Sequence, residues 1–301
     1  MAQQSAQPVA PSKNESGENF PVGSFLLAPR HRPVILAFYR VARMSDDIAD
    51  HATLAPDEKL ARLAAIEATI KDQGDAVPEA ARLRQSLAEH RLTDAHILDL
   101  LEAFRRDVTK NRYADWAELV DYCRYSACPV GRFMLDVHGE STATWPASDA
   151  LCTALQVINH LQDCGKDYRE IDRVYLPADA LAAAGVTVEV LAAPKASPAL
   201  RSVIHDLAQR TLRLVDDGAP LPGAIRDTRL RLEIGVIHSL AQSLTKRLLT
   251  ADPLSEKVHH DRLQMTLSAA RGLMRALFAT RRLGAGANLG HKDPSTTGAP
   301  P

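Results

Sequence analysis

The sequence predicts an all-α protein, one helical domain between two polar tails, and three observations carry that expectation. Turn-forming residues are sparse between residues 19 and 283, and the segments between them are long and rich in Ala, Leu and Arg, which favour helix. Apolar residues in those segments recur every three or four positions, the period of one helix face. No strand, glycine loop and helix follow one another, so the dinucleotide-binding pattern is missing from the sequence. Gly284-Ala285-Gly286-Ala287-Asn288-Leu289-Gly290 trails a helix into a polar tail and reads as a linker.

Composition narrows the class further. The 301 residues are 46% hydrophobic and 24% charged, the profile of an ordinary globular protein. A formal net charge of −1 leaves no basic footprint and argues against a nucleic-acid partner. No apolar run reaches the roughly 18 residues that a membrane span requires. Cys123, Cys128, Cys152 and Cys164 have no C-x-x-C spacing and read as reduced thiols of a cytoplasmic protein. Residues 1–18 and 284–301, rich in small and polar residues, read as disordered tails.

The helices follow from local signals. Pro33 suits a first turn, and the run from Val34 to His51 places Ile35, Phe38 and Ala42 on one side. Leu60 to Lys71 and Glu79 to His90 are amphipathic, parted by Gln73-Gly74-Asp75. Thr93 is placed to cap a helix running to Lys110. Trp116 to Val137 comes next, with Pro129-Val130-Gly131 bending or breaking it. Ser148 to Asp167 is long and nearly apolar, and a loop containing Asp172-Arg173-Val174-Tyr175-Leu176-Pro177 follows. Pro198 to Val215, Leu221 to Thr250 and Arg262 to Arg282 complete the set.

Two of these helices end in acid. Asp46, Asp47 and Asp50 close the first, and three- or four-residue spacing makes both earlier aspartates neighbours of Asp50. Asn159, Asp163 and Asp167 form a second row by the same rule. Like charges at that spacing destabilise a helix, so two such rows facing one space call for cations between them. Oxygen-only ligands suit Mg²⁺ bridging to phosphate, whereas either stretch alone equally describes a solvated acidic face. One turn back from each row lie Arg43 and then Tyr39, and Asn159 and then Gln156, polar stripes through apolar helices. Arg43 fits plain ion pairing or phosphate binding. Tyr122 fits a core tyrosine with a satisfied hydroxyl or an aromatic wall of a site.

These rows resemble the paired aspartate motifs of the squalene and phytoene synthase family. Glu18-Asn19-Phe20-Pro21-Val22-Gly23-Ser24, Pro29-Arg30-His31-Arg32-Pro33 and Phe38-Tyr39-Arg40-Val41-Ala42-Arg43 are similar to the hydroxysqualene-forming bacterial branch of the hopanoid pathway. So are Tyr122 to Arg132 and Tyr175-Leu176-Pro177, although the branch usually carries Asn where this chain has Cys128. The resemblance, covering Glu18 to Leu283, implies an isoprenoid-synthase helical bundle with a central cavity. It implies Mg²⁺ or Mn²⁺ held by Asp46, Asp47, Asp50, Asn159, Asp163 and Asp167, and a prenyl diphosphate oriented by Arg43, Gln156, Asn159, Arg173 and Tyr175. Tyr39 and Tyr122 would face the carbocation, with the aspartates completing the catalytic set. No nicotinamide cofactor is expected in the favoured branch, where presqualene diphosphate and water give hydroxysqualene.

Other readings remain open from sequence. A presqualene diphosphate, phytoene or squalene synthase would join two prenyl diphosphates instead. A di-iron bundle would need paired Glu-x-x-His motifs, and the chain has one, Glu256-Lys257-Val258-His259. A non-catalytic helical scaffold has no reason to keep stacked acids. In the last helix Leu273, Met274, Leu277 and Phe278 lie near Arg271, Arg275, Arg281 and Arg282, fitting either peripheral membrane contact or a core-facing stripe with a basic outer face. Oligomeric state has no signal in the sequence.

Overall fold

A computed structural model of the protein describes residues 28–260 and 262–278. The expected tails, the Glu18 to Ser24 motif, Arg281, Arg282 and the side chain of Phe278 lie outside these residues. Among the described residues the elements are all helices, joined by turns and one isolated bridge.

Four helices open the chain: α1 (Arg32–Ala49), α2 (Pro56–Ile70), α3 (Pro78–His90) and α4 (Ala95–Thr109). Proline stands in the first turn of α1, α2 and α3, where its missing N–H has no intrahelical partner to lose. Thr93 does assist the start of α4, accepting from Ala95 N at 3.1 Å, but from the position before the cap residue Asp94. These helices close an apolar core around Val34, Phe38, Leu63, Leu83 and Leu100. Phe133 enters it from a later helix and stacks on Phe38, with ring centres 3.9 Å apart.

The expected helix from Trp116 to Val137 is two, α5 (Trp116–Ser126) and α6 (Cys128–Val137). The break falls at Ala127, two residues ahead of Pro129, because proline is tolerated in a first turn but not in a helix interior. Gly131 then lets α6 press on the following helix. A Cβ there would meet Cys152 Sγ at 2.5 Å and Ser148 Oγ at 2.6 Å.

That following helix, α7 (Trp145–Gln162), continues as α8 (Cys164–Ile171) after an interruption at Asp163. The interruption differs from the single helix expected, yet the acid row survives it. Asp163 N still donates to Asn159 O at 2.9 Å, and Asp167 N to Asp163 O at 2.8 Å. Two short turns went unforeseen, α9 (Ala178–Ala183) and a 3₁₀ turn at Val188–Ala192. The chain then forms α10 (Pro198–Gly218), α11 (Leu221–Ala224), α12 (Thr228–Leu248) and α13 (Arg262–Phe278). The expected helix from Leu221 to Thr250 is thus also divided. Asp227 caps α12 by accepting from Arg229 N and Leu230 N, and the buried Glu140 carboxylate accepts from the Arg226 and Asp227 amides.

The second core lies among α5, α7, α10 and α12, around Leu119, Ile158, Leu161, Leu207 and Leu244. Met134 packs against both cores. α1 commits Val34, Phe38, Val41 and Ile48 to the first core and α7 commits Val157, Ile158 and Leu161 to the second. Their acidic ends therefore meet at the polar seam between the cores.

Candidate active site

The link across that seam is Arg173. α8 ends at Asp172, whose φ of 50° is the left-handed conformation that terminates a helix and turns the chain sharply. The following loop then runs beside the segment after α4. Val174 N donates to Asn111 O at 2.9 Å, and Ala178 N to Tyr113 O at 2.9 Å. This pairing drives Arg173 and Tyr175 inward. Arg173 Nη1 donates to Asp50 Oδ1 at 3.0 Å and to the Tyr175 hydroxyl at 3.3 Å, while Nη2 donates to Asp107 O at 3.0 Å. A buried guanidinium thus joins the first acid row to the loop following the second.

Arg43 is engaged with carboxylates as well. Its Nη1 donates to Asp46 Oδ2 at 2.9 Å and its Nη2 to Asp47 Oδ1 at 2.7 Å. Of the two roles open to Arg43 from sequence, ion pairing is the one this structure displays. Tyr39 is half-buried one turn before it, and Gln156 and Asn159 are half-buried along α7.

Besides Arg43 and Arg173, Lys166 acts on Asp167 and Lys59 is in range of Asp50, yet the acids still outnumber the cations. Burial first, then Asp50, pushes the Asp46 carboxyl up to about 6, against the pull of Arg43. Burial and then Asp163 push Asp167 up to about 7, and Asp50 adds to that shift. Burial also raises Asp107 to about 7, although Arg173 and the Tyr122 hydroxyl oppose it. Since Asp50 acts on both Asp46 and Asp167, the two rows share one electrostatic environment. Among the described residues, however, no three His, Cys, Asp or Glu side chains converge closely enough to hold a metal ion unaided.

Beneath the acids lies a stack of rings that the sequence reading only partly anticipated. Tyr175 lies on His160 with centres 3.4 Å apart, and Tyr113 stacks on Tyr175 at 5.5 Å and meets Tyr122 at a tilt, 5.2 Å away. Burial, then Arg173, lowers His160 to about 3, so its imidazole is neutral. The Tyr122 hydroxyl donates to Asp107 Oδ2 at 2.9 Å. Of the two roles open to Tyr122 from sequence, the structure displays the core tyrosine, buried and satisfied by Asp107. Arg124, in the same family-like stretch, has a side chain that is 64% exposed and approaches Asp121 at 4.0 Å. Cys128 lies 3.6 Å from Thr153 Oγ1 in the seam between α6 and α7, a packing position.

Asp107, Tyr113 and His160 were not singled out from sequence. Asp107 did carry a signal: it follows Leu100 by seven residues and Ala103 by four, on the buried face of α4. A carboxylate on such a face requires a partner. The Glu-x-x-His reading fails in the structure, because Glu256 and His259 are both exposed in the turn after α12.

Comparison with known proteins agrees with this arrangement. The model of the squalene/phytoene synthase family matches residues 13–268. This chain belongs to that family. The hydroxysqualene synthase of Rhodopseudomonas palustris is 58% identical over 233 residues, 77% of this chain and 80% of its own length. The hydroxysqualene synthase of Sinorhizobium fredii is 56% identical over 220 residues, covering 73% of this chain and 75% of its own. Among solved structures, squalene synthase HpnC from Alicyclobacillus acidocaldarius superposes with a TM-score of 0.68 at 32% identity, covering 75% of this chain and 86% of that one. The all-α fold is therefore the isoprenoid-synthase fold of the family, and the chain is an isoprenoid synthase.

Proposed function

We propose that this synthase converts presqualene diphosphate and water to hydroxysqualene and diphosphate, a carbon–oxygen lyase reaction with no net reduction. The observation that carries the reading is the seam itself, where two aspartate rows and two arginines face one another above a stack of aromatic rings. The high identity to relatives named hydroxysqualene synthase selects this reaction over the joining of two prenyl diphosphates.

The donor set fits Mg²⁺ or Mn²⁺. It offers only oxygen, and Asp46 and Asp167 are pushed up first by burial and then by neighbouring carboxylates, whose charge a divalent cation would relieve. Mg²⁺ usually takes one or two carboxylates and completes its shell with water and substrate phosphates, so a preformed cluster of three is not required. Asp46, Asp47, Asp50, Asn159, Asp163 and Asp167 would hold it, and when bound it would stabilise negative charge on the departing diphosphate.

The chain's own groups do the remaining work. Arg43 and Arg173 exchange carboxylate partners for diphosphate oxygens and orient the leaving group; bidentate geometry suits guanidinium to both partners. Gln156 and Asn159 position the same group from α7. The ring face of the half-buried Tyr39 stabilises the cation left by cleavage of the carbon–oxygen bond. One water adds at the cation through its oxygen and passes its proton to the released diphosphate, while surrounding apolar side chains exclude other nucleophiles. The test is substrate consumption by the purified enzyme with Mg²⁺. Presqualene diphosphate alone should be consumed, and chelator should stop the reaction. Turnover undiminished in excess EDTA removes the metal, and two farnesyl diphosphates consumed per product with no presqualene diphosphate turnover removes the lyase assignment.

A further inference from the structure

The last helix carries two apolar faces, and packing within the chain uses one of them. α13 lies along α12 so closely that a Cβ on Gly272 would clash with the Gly235 backbone, and one on Gly235 with Ala276. Ser268, Gly272 and Ala276, four residues apart, form this inner face, and Ser268 and Ala276 are buried. Of the two roles open to the apolar stripe from sequence, entry into the core is not the one most of it takes. Leu273 is half-buried, while Met274 and Leu277 point outward.

On the outer face Leu267, Ala270, Met274 and Leu277 recur at steps of three, four and three residues, all exposed. Leu267 is 60% exposed, Met274 52% and Leu277 57%. Among the described residues five large hydrophobic side chains are exposed, and four of them, Met265 included, are on this one helix. From residue 262 to residue 278 the sequence has Arg262, Arg271 and Arg275 and no acid, in a chain whose net charge is −1. Arg271 and Arg275 border the stripe on one side, and Arg275 is steadied by a 3.1 Å hydrogen bond to Gln242 on α12.

We propose that the outer face of α13 docks on an anionic lipid bilayer. Leu267, Met274 and Leu277 enter the boundary between headgroups and acyl chains, and Arg271 and Arg275 lie at the level of the lipid phosphates. An amphipathic helix with an apolar stripe and basic flank binds in this way, and its strength scales with buried apolar area plus attraction to anionic lipid. A second copy of the chain suits the surface less well. A two-fold contact through this stripe sets the same unopposed arginines against one another. The surface is independent of the reaction proposed above.

The test is cosedimentation of the full chain, without substrate or metal, with vesicles of phosphatidylcholine alone and of phosphatidylcholine mixed with phosphatidylglycerol. Binding to the mixed vesicles is expected, weakening as salt rises. Combined Leu267→Gln, Met274→Gln and Leu277→Gln should weaken it at least about tenfold. Arg271→Gln alone, a milder change, should weaken it about fivefold and only on anionic vesicles. Absence of binding by the unaltered chain, or equal binding by both variants, overturns the proposal. So does a dimer in vesicle-free solution that the triple substitution converts to monomer, which assigns the face to a second copy.

Discussion

Asp107 shows how much of the site depends on one side chain. It takes the Tyr122 hydroxyl on one oxygen while its backbone carbonyl and its carboxylate both face Arg173. Replacing Tyr122 with Phe leaves a buried acceptor without its donor, which costs about 1–3 kcal/mol. Chemical denaturation of Tyr122→Phe should register that loss, with turnover reduced as Asp107 and Arg173 lose their fixed neighbour. Unchanged stability would mean that the hydroxyl is not held as described. Asp167 gives a pH test with a definite sign. Its carboxyl is raised from 3.8 to about 7 in the fold, so between those values the folded state keeps a proton that the unfolded chain releases. The stability it contributes is full below about pH 4 and is lost as pH rises through about 7. In metal-free protein, Asp167→Asn should therefore melt progressively higher relative to the parent as pH increases across that range. A constant difference would deny that the carboxyl is raised in the fold.

Elements show why some of this was legible in sequence and some was not. The acid rows could be read because each sits on the polar side of a helix whose opposite side is apolar, a pattern that needs only local periodicity. Breaks were read less well. Pro129 announced an interruption but not its place at Ala127, and Asp227-Thr228, a capping signal, was passed over inside an apparently continuous run. Arg173 was named without its partners, since the pairing of its loop with residues 111–114 joins segments some sixty positions apart. Asp107 and His160 gain their meaning only when α4, α7 and that loop pack together. Gly131 provides the prediction at this scale. Gly131→Ala puts a methyl into Cys152 and Ser148, and overpacking of this kind costs about 1–3 kcal/mol. A lowered denaturation midpoint is expected. Stability unchanged or raised would show that α6 and α7 have room to part.

For the molecule as a whole, two apolar cores flank the acids and arginines, and the rings of Tyr113, Tyr122 and Tyr175 belong to the second core. In the reaction proposed above, the charged region would take the diphosphate and the aromatic one the cation. This arrangement also explains why the charge excess is tolerated: the cores hold the helices in place, and the seam does not need to contribute stability. If the cation is quenched by water inside this enclosure, the oxygen of the product comes from solvent and no hydride donor is consumed. The decisive measurement is the mass spectrum of the product formed from presqualene diphosphate and Mg²⁺ in ¹⁸O-labelled water, with no nicotinamide present. An alcohol carrying the label is expected. An unlabelled product, or a hydrocarbon that forms only when NADPH is added, would contradict it.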